Sequence, residues 1–327
     1  MSLYRNIIKQ AWNIAWRNKY LWFFGFFAAI LGNGGEYEFF IRVLLGDTAP
    51  SVLPGVDAVW QSKLLTSEGI VNAARMLVKD PLSVVVSMVV LIVIFLLVGF
   101  VVWLVNVSQI ALVNNAVAVI SDGEKGFKSG LEIGMRKFWP VLLFNMILRL
   151  ATSILFLMIN WSLILSIHDT QSYTGKLLYA ILFALSIPVL MSLSFIFKYS
   201  IAYIVVKGQK FVESLKSGWS LFVKNWLISL EMAFILFFIN VLAGLVLVLV
   251  FLMFVTPFAL LLNFVIAIKS MAAFWFIIAV SILVFMGVLG VFAGILASFQ
   301  ISAWTTLFIE LSGRGAVSKL VRVFSKQ

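Results

Sequence analysis

Four stretches of this chain, residues 82–105, 177–197, 232–256 and 273–299, run on without a single charge, and 138–167 does so with one arginine inside. Each exceeds the roughly 18 apolar residues that mark a membrane-spanning helix. Only 11% of the 327 residues are charged and 63% are hydrophobic, against about 25% charged in a soluble domain. Too few charges remain to clothe a water-facing surface, so lipid is the solvent. An all-α, polytopic helix bundle is the class expected.

The net charge of +11 does not point to nucleic acid, because the basic residues sit in short clusters beside the hydrophobic runs, as membrane anchors do. Segments 1–19, 122–137, 207–224 and 311–327 each hold four Lys or Arg, sixteen together against four acids. The alternate segments 33–81, 168–176 and 257–272 hold six against seven acids. Lysine and arginine mark the cytoplasmic side. The alternation therefore predicts six spans with both termini in the cytoplasm. Basic residues on that side (Lys9, Arg17, Lys19, Lys128, Arg136, Lys216, Lys224) would meet anionic lipid of the inner leaflet.

Two segments fit poorly. Tyr20–Leu31 is twelve residues, or ~18 Å of helix against a ~30 Å hydrocarbon core. Either the helix begins near Ala11, with Arg17 and Lys19 snorkelling back to the interface, or the segment dips in and turns at Gly32-Asn33-Gly34-Gly35. The charge count, which needs an odd number of crossings before residue 82, favours the first, as an uncleaved helix rather than a signal peptide. Pro81–Ser121, by contrast, is forty-one residues with Gly99 as its one breaker. Its polar end (Asn106, Ser108, Gln109, Asn114, Asn115) must leave the membrane or pack inside protein.

The chain also repeats itself. At an offset of 84, residues 107–134 lie over 191–218 without a gap, matching Ser108 to Ser192, Ala118 to Ala202, Phe127 to Phe211, Leu131 to Leu215 and Gly134 to Gly218. At an offset of 207, Ile8–Ile14 lies over Leu215–Leu221, and Arg17-Asn18 over Lys224-Asn225. In the last copy Phe211, Leu215, Gly218, Phe222 and Trp226 recur at helical spacing, with Lys210, Glu213, Ser217, Ser220 and Lys224 opposite. That predicts an amphipathic elbow helix in the headgroup plane before each outward span. A small residue in every copy (Ala11, Gly134, Gly218) would admit close approach to a neighbour. The expected units are 1–122, 123–206 and 207–327, three parallel two-helix repeats in a single membrane domain, with 33–81 as an external segment.

The run Ala15-Trp16-Arg17-Asn18-Lys19-Tyr20-Leu21-Trp22-Phe23-Phe24-Gly25-Phe26 resembles the opening of a group of bacterial six-span membrane proteins, and Ser214–Phe222 is similar to their third elbow. The group includes the membrane domain that precedes some glycerophosphodiester phosphodiesterases. The resemblance covers most of the chain, implies a bacterial cytoplasmic membrane, and brings no catalytic residue. The plan is also similar to that of mitochondrial carriers, but none of Pro140, Pro188 or Pro257 lies in their P-x-[DE]-x-x-[KR] signature.

Chemistry is sparse. There is no cysteine and one histidine, His168 beside Asp169, which reads as a solvated loop residue. No nucleophile, zinc or phosphate-loop motif occurs, and Gly123-Glu124-Lys125-Gly126 reads as a turn. No catalytic residue, metal or cofactor is therefore expected. Gly287, Gly290 and Gly294 form a small-residue stripe suited to helix packing. Three ionisable residues fall at membrane depth: Arg149, Lys198 and Glu231. Arginine and lysine can snorkel, but a glutamate is too short to do so far, so Glu231 calls for a partner, Lys198 first and Arg149 second. Two functions stay open. One is transport or lipid handling through a cytoplasmic-side polar pocket around this trio, where an anionic headgroup would fit. The other is a scaffold that meets a protein partner or a second copy of itself and transports nothing.

Overall fold

The computed structural model describes residues 3–31, 81–121, 123, 126–168 and 173–314. The predicted external segment 33–81 and the last basic cluster lie almost wholly outside them. The described residues form helices joined by short turns, with no strand among them. In chain order the helices are α1 (Leu3–Arg17), α2 (Tyr20–Leu31), α3 (Pro81–Ile120), α4 (Phe127–Arg136), α5 (Phe138–His168), α6 (Tyr173–Lys207), α7 (Phe211–Lys224), α8 (Trp226–Ile268) and α9 (Met271–Arg314). Five are long and apolar enough to cross a membrane, over Met88–Ile120, Phe138–Leu155, Ala180–Lys207, Trp226–Ile268 and Met271–Gly313; Tyr20–Ile30 is apolar but shorter. The chain is a multi-pass membrane protein.

Contacts divide it into two compact units, residues 37–104 and residues 1–36 with 105–327. In the first, the described part is the opening of α3, where Leu82, Val85, Val86 and the apolar side chains from Met88 to Val98 are exposed. The second unit carries the packed core. There α2 lies against both α3 and α9: Leu21, Phe24 and Ala28 pack on Ala111, Leu112 and Ala116, and Gly25 abuts the Gly294 backbone with no room for a Cβ. Likewise α5 meets α3 and α6 through Val141 and Phe144 against Ile110, Val113, Phe197 and Ile201. Helix α8 meets α6 and α9 through Ile228, Met232 and Leu236 against Phe195, Tyr199, Ala303 and Leu307.

The short helices α1, α4 and α7 dock by their small residues. Ala11 of α1 is fully buried, in the apolar cluster that α1 shares with Ala303 and Leu307 of α9. A Cβ on Gly134 of α4 would come within 2.8 Å of the Val107 carbonyl of α3, and one on Gly218 of α7 within 2.9 Å of the Ile196 carbonyl of α6. Their aromatic residues stack as well: Phe127 on Phe24 at 4.8 Å and Phe211 on Phe144 at 4.2 Å. The α1 and α7 sequences bury one stripe each (Tyr4, Ile7, Ala11, Ile14; Ser214, Gly218, Leu221), as a helical period of 3.6 requires.

One expectation is corrected. The helix that begins in the first basic segment does not continue from Ala11 into the apolar run, because α1 ends at Arg17 and α2 starts at Tyr20. Asn18 causes the break: its side-chain amide and its backbone N–H both donate to the Ile14 carbonyl, while its own carbonyl accepts from Leu21. A side chain that satisfies the end of one turn in this way competes with helix continuation. Asn225 does the same between α7 and α8, donating to the Leu221 carbonyl.

Candidate functional site

Among the described residues of the second unit, the three ionisable residues at membrane depth fall in two places. At the first, α1, α6, α8 and α9 share one apolar cluster. Tyr4 of α1, itself buried, donates its hydroxyl to the Glu231 carboxylate on α8. Tyr199 of α6 shares a 2.6 Å hydrogen bond with Ser229, two residues before Glu231. The Lys198 ammonium lies over the Trp304 ring of α9, 4.6 Å from its centroid, and 5.8 Å from that of Phe195. Tyr203 meets Phe308 edge to face at 4.9 Å, and the Lys207 ammonium lies 5.0 Å from the Tyr203 ring centre. Lys198 and Glu231 are both half-buried. A cation over an indole face is stabilised most where water is partly excluded, and a carboxylate at such a depth is held by a donor.

Arg149 belongs to the second place. It is half-buried on α5, one turn beyond Asn145 and so on the same face. The Asn145 side-chain amide donates to Asn106 Oδ1 at 2.7 Å and to Gln109 Oε1 at 2.8 Å, tying α5 to α3. The polar end of α3 thus packs inside protein: Asn106 and Asn115 are 1% and 0% exposed. Asn115 Oδ1 accepts from the Tyr20 hydroxyl at 3.2 Å and from the Gly126 N–H at 3.0 Å. A third amide pair joins α9 to α8, Gln300 donating to Asn240.

The seven basic residues Lys9, Arg17, Lys19, Lys128, Arg136, Lys216 and Lys224 are all exposed. Trp12, Trp16, Trp139, Trp219 and Trp226 beside them are exposed too, the mixture found at membrane interfaces. In the glycine stripe, Gly294 fits against the Trp22 carbonyl and a Cβ on Gly290 would come within 3.0 Å of the Phe26 ring, whereas Gly287 faces open space.

Sequence reasoning missed Tyr4, Trp304, Tyr199 and Asn145. Tyr4 and Trp304 reach their partners across 227 and 106 positions, and no local period signals such contacts. Asn145 was more accessible, as the single carboxamide inside the apolar opening of α5 before Arg149. Among the described residues no three His, Cys, Asp or Glu come together as a metal site would require. No family model, no curated protein and no solved structure matches this chain.

Proposed function

We propose that this is a non-enzymatic protein of the bacterial cytoplasmic membrane, with both termini inside, that handles an anionic lipid headgroup in the cytoplasmic half of its core. The observation that carries the reading is Lys198, a half-buried cation set against Trp304. It lies nine residues inside the basic boundary at Lys207, ~14 Å deep, and Glu231 lies seven inside Lys224, ~10 Å deep. With Lys207, which lies against Tyr203 in the same cluster, Lys198 and Glu231 have a formal charge of +1, the sign an anionic headgroup requires. The exposed basic residues and tryptophans on α1, α4 and α7 would hold these helices in the same headgroup plane as elbows.

Three parallel repeats belong to the same reading. In their support, α4 packs on α3, α7 on α6, and α1 on α9. The first short helix thus meets the last long one, as three units around a common axis require. Asn18 and Asn225, 207 positions apart, break the chain in the same manner.

The scaffold reading rests on a different observation: Glu231 is already engaged by Tyr4, and α8 and α9 carry no polar stripe along their outer halves. One experiment separates the two. Thermal unfolding in neutral detergent is followed with added phosphatidylglycerol or phosphatidylcholine, for the native chain and for Lys198→Met. Headgroup handling predicts that phosphatidylglycerol raises the native Tm more than phosphatidylcholine does, and that Lys198→Met abolishes most of the difference. An equal rise in both proteins would place the lipid at the exposed basic residues alone and leave the scaffold.

A further inference from the structure

Between Glu231 and Glu310 the chain carries one charge, Lys269. That residue stands at the turn of the α8–α9 hairpin, in the left-handed conformation at φ 58°, its N–H bonded to the Ile266 carbonyl at 3.1 Å. The charge-free part of α8, residues 232–268, is 37 residues, and that of α9, residues 271–309, is 39. At 1.5 Å per residue each arm is ~56–58 Å long, nearly twice a ~30 Å hydrocarbon core. An upright hairpin would push more than ~25 Å of charge-free double helix out of the hydrocarbon.

The two arms touch each other there, Phe285 packing on Phe251 at 5.0 Å and on Phe254 at 6.1 Å. Outward they are bare: Met253 is 79% and Leu283 74% exposed, and Leu242, Leu249, Leu260 and Phe276 are exposed as well. Two features identify what covers them. The faces turned away from the hairpin contact carry no charge, and the side chains of their exposed polar residues Thr256 and Asn263 each donate to a carbonyl one turn back in the same helix, Leu252 and Ala259. A protein partner selects one stripe, whereas acyl chains surround a helix and demand apolar character all round. And the tip carries Lys269 and the exposed Trp275, a pairing that seeks the headgroup boundary.

We infer that the outer arm, residues 247–291, lies within the acyl chains instead of standing clear of the membrane. The hairpin crosses either at an incline of about 58°, where 56 Å of helix rises 30 Å, or with a bend at Pro257. Spanning helices rarely tilt beyond about 40°, and Pro257 is the place in α8 where a sharp bend would fall. This inference is independent of the headgroup site and of which end faces the cytoplasm.

The absence of cysteine permits a direct test. Single spin labels are placed by Met253→Cys and, separately, Leu283→Cys in the full chain, reconstituted into vesicles of phosphatidylethanolamine and phosphatidylglycerol. Collision with oxygen and with a water-soluble nickel chelate is then compared with that of a label at the exposed Trp219. Frequent oxygen and rare nickel collisions at either position are the expected result. Frequent nickel collisions would stand the arm in water, and rare collisions of both kinds would cover it with protein; either overturns the inference. Two positions on opposite arms guard against one variant failing to fold.

Discussion

Tyr4 and Glu231 form the contact on which most can be tested at the residue scale. A carboxylate in the apolar part of a helix keeps its charge only if a donor replaces the water it has lost. Tyr4 supplies one such donor. Hydrogen bonds to charged groups contribute about 1.5–3 kcal/mol, so Tyr4→Phe should destabilise by that order in detergent unfolding. Glu231→Gln should cost less in the Tyr4→Phe background than alone, because the pair is lost once. Additive losses would show that the hydroxyl and the carboxylate act separately. The same cycle with Lys198→Met reads the coupling across α6 and α8: pairing predicts that Glu231→Gln alone destabilises more than the double change, since one member removed leaves the other charge uncompensated.

For the elements, the decisive contacts are made by backbone meeting backbone. Helix α2 is only twelve residues long, and it reaches α9 because Gly25 and Gly294 let the two main chains touch, with Ser298 Oγ donating to the Leu21 carbonyl at 2.8 Å. Neither glycine can gain a methyl group without moving a neighbouring main chain. Gly25→Ala and Gly294→Ala should therefore each lower stability by about 1–3 kcal/mol, as overpacking does. Gly287→Ala meets open space and should be neutral or slightly stabilising, by up to about 1 kcal/mol from helix propensity. A matched series of unfolding curves checks all three, and an equal loss at Gly287 would show that the main-chain contacts of Gly25 and Gly294 do not decide the cost. The glycine spacing was readable in the sequence as a packing stripe. Which of its members touch a neighbour was not, since that depends on where the twelve residues of α2 lie along α9.

At the scale of the whole molecule, the arrangement of basic segments makes a topological prediction that involves no packing detail. Single cysteines at Ser129 and Ser217, on the short helices α4 and α7, should be shielded from an impermeant maleimide in intact cells. One at Ser62, in the segment that the charge count places outside, should react. Labelling of Ser129 from outside would reverse the orientation and move the Lys198 site to the opposite leaflet.

What the sequence by itself determined is what is local or additive. Apolar runs of spanning length, helical periodicity in Phe127–Arg136 and Phe211–Lys224, and the segregation of charge each depend on residues near one another in the chain. The transfer of such segments into lipid is nearly a sum over residues. Tertiary structure alone decided the rest: Tyr4 on Glu231, Trp304 on Lys198, Asn145 between Asn106 and Gln109, and α1 on α9. Within lipid an apolar face has no stronger preference for protein than for acyl chains, so hydrophobic pattern cannot say which helices pair. Shape at small residues and the need to satisfy a few buried polar groups decide that, and both are properties of positions that the fold brings together.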